Sequence, residues 1–405
     1  MRILYLAPLV PSRSGSGGRR AIYNHIAELS AEADADVELL CVDMEEVAAA
    51  VELPESMRVT VLPRAFARFR SQALVRRFLG AFCQLLCDRL PRAVAVTASP
   101  AALAAFADAL ERRPPDCIVV DHFFAFGMVP STLPRHPPLI YVAHNHEAEI
   151  WRDKYRSEAR WAGRLLAAIE WIKTRNAERR LIDQAAAIVT LTRQDREKLG
   201  RLNATKPILV WPELSARKLL RWRQNASKTL LFVGSAAYFP NQDAIQWLLR
   251  VLMPRLWQLD RAIRLSIVGT AQRDVPEIGA SPNVDFHGFV DDDALQQAYI
   301  GSALFICPVV LGSGVKIKVV EALSYGMPVA LSEPSRAGVE FATAAVGFDR
   351  EHPDVIAQVI ASLLSDPPRL QRMSDEIVRS YDEALAARSP MAKMLSELLL
   401  SAPTK

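Results

Sequence analysis

Cysteine is scarce. The 405 residues hold five, Cys41, Cys83, Cys87, Cys117 and Cys307, an odd number with no C-x-x-C pair. A disulfide scaffold and a structural zinc site are therefore unexpected, and a reduced, cytoplasmic compartment fits. No apolar run approaches the ~20 residues that span a bilayer. The opening run from Met1 ends at Pro8, too short for a signal peptide, and reads as a first buried strand. Charge of one sign is also missing: 49 Lys+Arg face 45 Asp+Glu, a net +4 that makes no global case for nucleic acid. No internal repeat and no low-complexity tract is present. What remains is half hydrophobic and 23% charged, the mix of a folded chain with two or three cores.

Short apolar runs alternate with helical patterns. Residues 3–7, 37–42, 58–62, 117–120, 139–143 and 187–191 are rich in Val, Ile and Leu and read as buried parallel strands, with helices over 19–33 and 160–184. The rhythm pauses over 210–227, read as the connection between domains. It restarts with strands at 230–233, 263–268, 284–286, 304–307 and 329–331 and helices at 241–259, 292–301 and 316–325. The fold class is therefore α/β, with two Rossmann-like halves over 1–212 and 213–384. A last helix lies within 385–405. Its Met394, Leu395, Leu398, Leu399 and Leu400 are too apolar to stay in water.

The stretch from Pro308 to Val329 carries the most chemistry. A buried strand ends at Cys307, a loop Gly312-Ser313-Gly314 follows, and a helix starts near Val315 with Lys316, Lys318 and Glu321 on it. Unsatisfied N–H groups and the dipole at such a helix start suit a diphosphate, and glycines allow close approach. Lys316, in the first turn, is the first choice to neutralise it, and Glu321 is placed to accept from ribose hydroxyls. The plain alternative is a capped helix with solvated lysines.

That string resembles the nucleotide-sugar signature of retaining glycosyltransferases of the family 4 type (group 1), which have the GT-B fold of two Rossmann-like domains and an interdomain cleft. Gly15-Ser16-Gly17-Gly18-Arg19 resembles the family's N-terminal glycine loop, and His144-Asn145-His146-Glu147 its central histidine segment. Phe232-Val233-Gly234 with Pro240-Asn241 resembles the start of its second domain, and His287-Gly288-Phe289-Val290 is in place. The resemblance implies transfer of a sugar from a nucleotide-diphosphate sugar to a glycan or lipid-linked glycan acceptor in surface-polysaccharide synthesis, with no essential metal and no cofactor. It implies that His144 contacts the donor sugar or works near the acceptor hydroxyl, and that Glu147 orients it or holds acceptor hydroxyls. It also implies a donor side of Gly312, Ser313, Gly314, Val315, Glu321, Gly234 and Gly288, and a last helix within 385–405 that crosses back to pack on the first domain.

Two departures stand out. The slot of the family's first glutamate holds Ser313, and no base follows Gly234, so charge neutralisation falls to Lys316, Lys318 or Arg19. Gly17 and Gly18 read as a tight turn, as a close approach to donor phosphate or acceptor, or as both. Arg19 at a helix start is unfavourable without an anion near it. Asn145 and His146 are candidate caps, and His122 is a cleft or a structural histidine. Asp291-Asp292-Asp293 caps a helix rather than binding metal. The segment from Arg58 to Arg92 holds eight Arg and one acidic residue among aromatics, a face for peripheral contact with an anionic membrane or an ordinary solvated helix. A degenerate binding subunit and a nucleotide-sugar epimerase are the alternative functions.

Overall fold

The computed structural model describes all residues except 14–16, 32–34, 45–52, 54–56, 66–88, 132–136, 204, 216–217, 219, 276–281 and 402–405. Most of the segment between Arg58 and Arg92, including Arg68, Arg70, Arg76 and Arg77, thus lies outside the described residues. The chain divides into two compact units. The first comprises Met1–Trp211, Gly312–Gly314 and Ser389–Lys405; the second comprises Pro212–Leu311 and Val315–Arg388.

Unit 1 runs β1 (Arg2–Ala7), α1 (Gly17–Ala31), β2 (Asp36–Val42), β3 (Arg58–Leu62), α2 (Arg92–Thr97), α3 (Pro100–Arg112), β4 (Cys117–Asp121), a 3-10 turn (Phe123–Met128), β5 (Leu139–Ala143), α4 (Glu147–Ser157), α5 (Trp161–Gln184), β6 (Ala187–Thr190), α6 (Arg193–Gly200) and β7 (Ile208–Val210). Its strands pair in parallel in the order β3-β2-β1-β4-β5-β6-β7. β4 and β5 are buried at every position, which is why their sequences show apolar runs without alternation. The helix starts are written locally. Ser99 accepts from Ala102 N–H at 3.0 Å before Pro100, and Thr192 accepts from Asp195 N–H at 2.9 Å.

Unit 2 repeats the design with β8 (Thr229–Val233), α7 (Phe239–Trp247), a π turn (Leu248–Leu252), α8 (Met253–Leu259), β9 (Arg264–Val268), β10 (Val284–Gly288), α9 (Asp292–Gly301), β11 (Leu304–Cys307), α10 (Ile317–Ser324), β12 (Val329–Ser332), β13 (Val346–Phe348), α11 (Pro353–Leu364) and α12 (Pro367–Ala387). The order is β10-β9-β8-β11-β12-β13. The π turn precedes Pro254, which lacks an N–H and crowds the preceding turn, so the ladder shifts register there. Asp291 caps α9 through Ala294 N–H at 2.8 Å, as its sequence position indicates. In both sheets the order reverses beside the first strand, between β1 and β4 and between β8 and β11. Open α/β sheets bind ligands at the carboxyl ends of such strands.

Two sequence expectations need revision. The stretch 210–227 is not simply a connector: Leu214 and Trp222 belong to the core of unit 2, and the Trp222 indole donates to Ser302 O at 2.6 Å. The last helix, α13 (Met391–Ser401), is grouped with unit 1, and what needs revision is the expectation that all its apolar residues leave water. Met391, Met394, Leu395 and Leu398 are buried there at helical spacing, but Leu400 is 89% exposed.

Candidate functional site

Unit 1 gathers its chemistry on one buried carboxylate. Asp121 closes β4 and is fully buried. Its Oδ2 accepts from the Tyr5 hydroxyl at 2.5 Å and from His25 Nδ1 at 3.0 Å; its Oδ1 accepts from His144 Nε2 at 2.5 Å. Burial alone would raise the Asp121 pKa. The two imidazoles override it and hold the carboxyl well below the usual range. Ionised Asp121 therefore holds a proton of His144 on Nε2 and fixes the orientation of the ring. Trp211 meets the His25 ring edge-on at 5.0 Å, and the His122 ring lies 5.0 Å from that of His144. His122 adopts a left-handed φ of 73°, its Nδ1 accepts from Phe124 N–H at 3.3 Å, and burial pushes it down to about 3. Sequence reading found His144 but not the Asp121, His25 and Tyr5 behind it. The signal was there in an aspartate ending an apolar strand and a histidine on the buried stripe of α1.

Beside His144, α4 begins without a local cap. His146 occupies the N-cap position and makes no side-chain cap bond, contrary to the sequence expectation for Asn145 and His146. The job falls to Glu178 on α5, whose two oxygens accept from Glu147 N–H at 3.0 Å and Ala148 N–H at 3.2 Å. Asn145 instead donates to the Glu147 carboxylate at 2.9 Å. Burial pushes Glu147 up to about 7 against that hydrogen bond, and burial with the neighbouring Glu147 pushes Glu178 up to about 8. Glu147 thus has the proton affinity of a group able to give or take a proton near neutrality.

His25, Asp121 and His144 have the residue types of a metal site, with ligand atoms within 4.8 Å of one another. Ligands about 2.0–2.1 Å from a tetrahedral ion lie roughly 3.3 Å apart. The 2.5 Å between His144 and Asp121 is closer, so the arrangement is a hydrogen-bonded one.

Gly17 and Gly18 form the first turn of α1 rather than a loop before it. Arg19, 1% exposed, finds its anion inside the protein: it donates to Asp43 at 2.5 Å and to Val10 O at 3.1 Å. Gly312–Gly314, grouped with unit 1, meets the histidine segment. Ser313 Oγ accepts from His146 N–H at 2.8 Å. Gly314 has φ 75°, and a Cβ there would lie 2.2 Å from His144 O, so the backbone of the histidine segment itself requires the glycine.

In unit 2 the carboxyl end of β8 forms a cradle around a lysine. Lys318, on the first turn of α10, donates to Asn241 Oδ1 at 2.5 Å and lies 4.4 Å over the Phe232 ring. Asn241 in turn donates to Ser235 O at 3.0 Å. A Cβ at Gly234 would stand 2.7 Å from Lys318 Nζ, so a side chain there would push the ammonium from its place. Lys318 makes no ion pair among the described residues. Desolvation, aided by Lys316, brings its pKa down to about 8. A desolvated cation at a strand-order reversal has the chemistry to hold an anion. The lysine at Gly234 is thus Lys318; Lys316, the expected one, is the N-cap residue of α10. Val315 packs on the unit 2 core. Glu321 is 7% exposed and accepts from the Tyr299 hydroxyl at 3.0 Å. Gly288, with φ 64°, ends β10 and donates to Thr270 O at 3.0 Å, a backbone role.

The buried acids set a pH dependence. Glu147 and Glu178 have folded pKa values above the unfolded carboxyl value of about 4.3. Their protonated forms are favoured by the fold, so that contribution is complete below the unfolded pKa and is lost as pH rises through about 7 and about 8. His122 and His146 are depressed by burial, and above about pH 6.5 they are mostly neutral folded or unfolded. From there to about pH 8, stability is expected to fall by up to about 1.4 kcal/mol per pH unit for each titrating acid. Glu178→Gln should flatten the fall. Urea unfolding across the window measures it, and a level or rising profile for wild type contradicts it.

Residues 16–212 match the family model described as Glycosyl transferase 4-like domain, and residues 227–366 the one described as Glycosyl transferases group 1. Among curated proteins none matches the sequence. Solved structures do. Sucrose-phosphate synthase from Thermosynechococcus elongatus is 15% identical with a TM-score of 0.72, covering 99% of this chain and 100% of that one. TarM is 11% identical with a TM-score of 0.68, covering 99% of each. Anabaena HepE, solved with UDP-glucose, is 14% identical with a TM-score of 0.63, covering 98% of this chain and all of its own. At such identities the likeness is one of fold, the GT-B arrangement of two Rossmann-like domains.

Proposed function

Since the chain belongs to the group 1 glycosyltransferases with a family 4-like first domain, we propose that it moves a sugar from a nucleotide-diphosphate donor to a hydroxyl of a glycan or lipid-linked glycan, with retention at the anomeric carbon, in surface-polysaccharide synthesis. The observation that carries this reading is Lys318 in its glycine cradle, a cation placed for a diphosphate and without a carboxylate against it. Glu321 accepts from the ribose hydroxyls. In the reaction the bond from the anomeric carbon to the diphosphate oxygen breaks, and the bond to the acceptor oxygen forms on the same face. The departing diphosphate takes the acceptor proton. Lys318 stabilises the charge that develops on it, and His144 orients sugar and acceptor.

Calorimetry with UDP, GDP, ADP and dTDP, followed by donor turnover with and without acceptor, tests the reading. Tight binding of one nucleotide and acceptor-dependent release of it are expected. Product formed from donor alone would indicate an epimerase, and binding without turnover a non-catalytic subunit. Because the charge is supplied by Lys318, EDTA is expected to leave turnover unchanged. Activity lost to EDTA and restored by Mg²⁺ would contradict this.

A further inference from the structure

Helix α5 has two apolar faces. It is 24 residues long, roughly 36 Å at 1.5 Å per residue. One face is the ordinary one, with Ala167, Ala177 and Leu181 buried in unit 1. On the other, Trp161, Leu165 and Ile172 recur at i, i+4 and i+11, a spacing that aligns them on a single stripe. That stripe faces water: Trp161 is 81% exposed, Leu165 55% and Ile172 58%, with Leu166 beside it at 47%. A surface helix of a globular protein normally carries polar residues there.

The surroundings of the stripe are basic. Arg156, Arg160, Arg164, Arg175, Arg179 and Arg180 are all exposed. Arg164 and Arg175, eleven residues apart, run along one flank, and Arg179 continues the line of Ile172 at i+7. The acids between residues 156 and 180 are Glu158, Glu170 and Glu178, and the last two are buried on the inner face. Aromatic contacts stiffen the neighbouring α4: Tyr155 stacks on Trp171 at 6.0 Å, and Arg164 lies 5.4 Å from the Tyr155 ring.

We propose that the outer face of α5 rests on the surface of an anionic phospholipid bilayer, with Trp161, Leu165 and Ile172 entering the boundary between headgroups and acyl chains and the flanking arginines meeting lipid phosphates. An apolar stripe with an aromatic residue and a basic rim is the composition of a helix lying in that boundary. A second copy of the chain is a poorer occupant, because a two-fold pairing would bring the six arginines of each copy together. The contact is peripheral, since among the described residues no helix is long and apolar enough to cross a membrane. It stands independently of the donor and the acceptor.

The test is sedimentation of the full chain with vesicles of equimolar phosphatidylcholine and phosphatidylglycerol, and with phosphatidylcholine alone, at low and high salt. Wild type is expected to pellet with the anionic vesicles at low salt, to be released at high salt and to ignore neutral ones. The variant Trp161→Ser/Leu165→Ser/Ile172→Ser should lower the partition coefficient about tenfold or more, with circular dichroism and nucleotide affinity unchanged. Arg164→Gln/Arg175→Gln should lower binding at low salt and weaken the salt dependence in proportion to the two charges removed. Absence of wild-type binding at low salt overturns the proposal. So does equal binding by the triple variant, which would move the contact elsewhere, for instance to residues 58–92. A wild-type dimer by light scattering that the triple variant dissociates would give the face to a second copy, and also overturns it.

Discussion

Replacing Lys318 with alanine is expected to weaken nucleoside diphosphate binding by about one to two orders of magnitude, the ~1.5–3 kcal/mol of a hydrogen bond to a charged group. The expectation rests on position: Lys318 lies at Gly234 with Asn241 as its hydrogen-bonding partner and makes no ion pair among the described residues. Lys316→Ala should cost less, because that residue stands at the helix cap outside this cradle. A second signature follows from the depressed ammonium. With a pKa of about 8, Lys318 is partly neutral in mildly alkaline solution. An arriving diphosphate would favour its charged form, so binding should take up a proton there. Affinity should fall by up to about tenfold per pH unit above that point. Titration calorimetry in buffers of different ionisation enthalpy detects the uptake. Equal affinity of Lys318→Ala and wild type across the range would remove the lysine from the anion site.

Loss of His144 should act on turnover instead. His144→Ala is expected to lower turnover by a factor on the order of 10²–10⁴ and to leave nucleotide affinity near wild type. Asp121→Asn should approach the same loss without touching substrate. It removes the negative charge that three donors share and frees the imidazole to change tautomer. Because Asp121 works through His144, the double variant should be little worse than His144→Ala alone. Additive losses would separate the two residues. Nucleotide affinity and thermal unfolding of each variant distinguish a misplaced histidine from a damaged fold, and unchanged turnover in His144→Ala would return it to a packing role.

The two sheets were legible in the sequence because strands buried on both faces write themselves as unbroken Val, Ile and Leu runs. The short edge strands β7 and β13, three residues each, carry too little pattern to be seen. Of the site, the histidine segment and the strand–loop–helix around Lys318 were visible as local strings. What was not visible is long-range. Arg19 resembled a cation seeking a ligand until Asp43, 24 residues away, supplied its anion. Gly314 resembled a phosphate-loop glycine until the carbonyl of His144 proved to need the space. The choice between Lys316 and Lys318 turned on which residue of the helix start meets the turn after β8, a matter of two positions that spacing alone leaves open.

The cap of α4 has a consequence for the order of events in folding. A helix start held by its own neighbours can form while the rest of the chain is loose. This one is held by Glu178, 31 residues downstream of Glu147. The first turn of α4 must therefore wait until the chain between them has closed its loop and α5 has docked. Kinetic analysis should find that truncating the Glu178 side chain changes the unfolding rate more than the folding rate, placing the ordering of the histidine segment on the native side of the barrier.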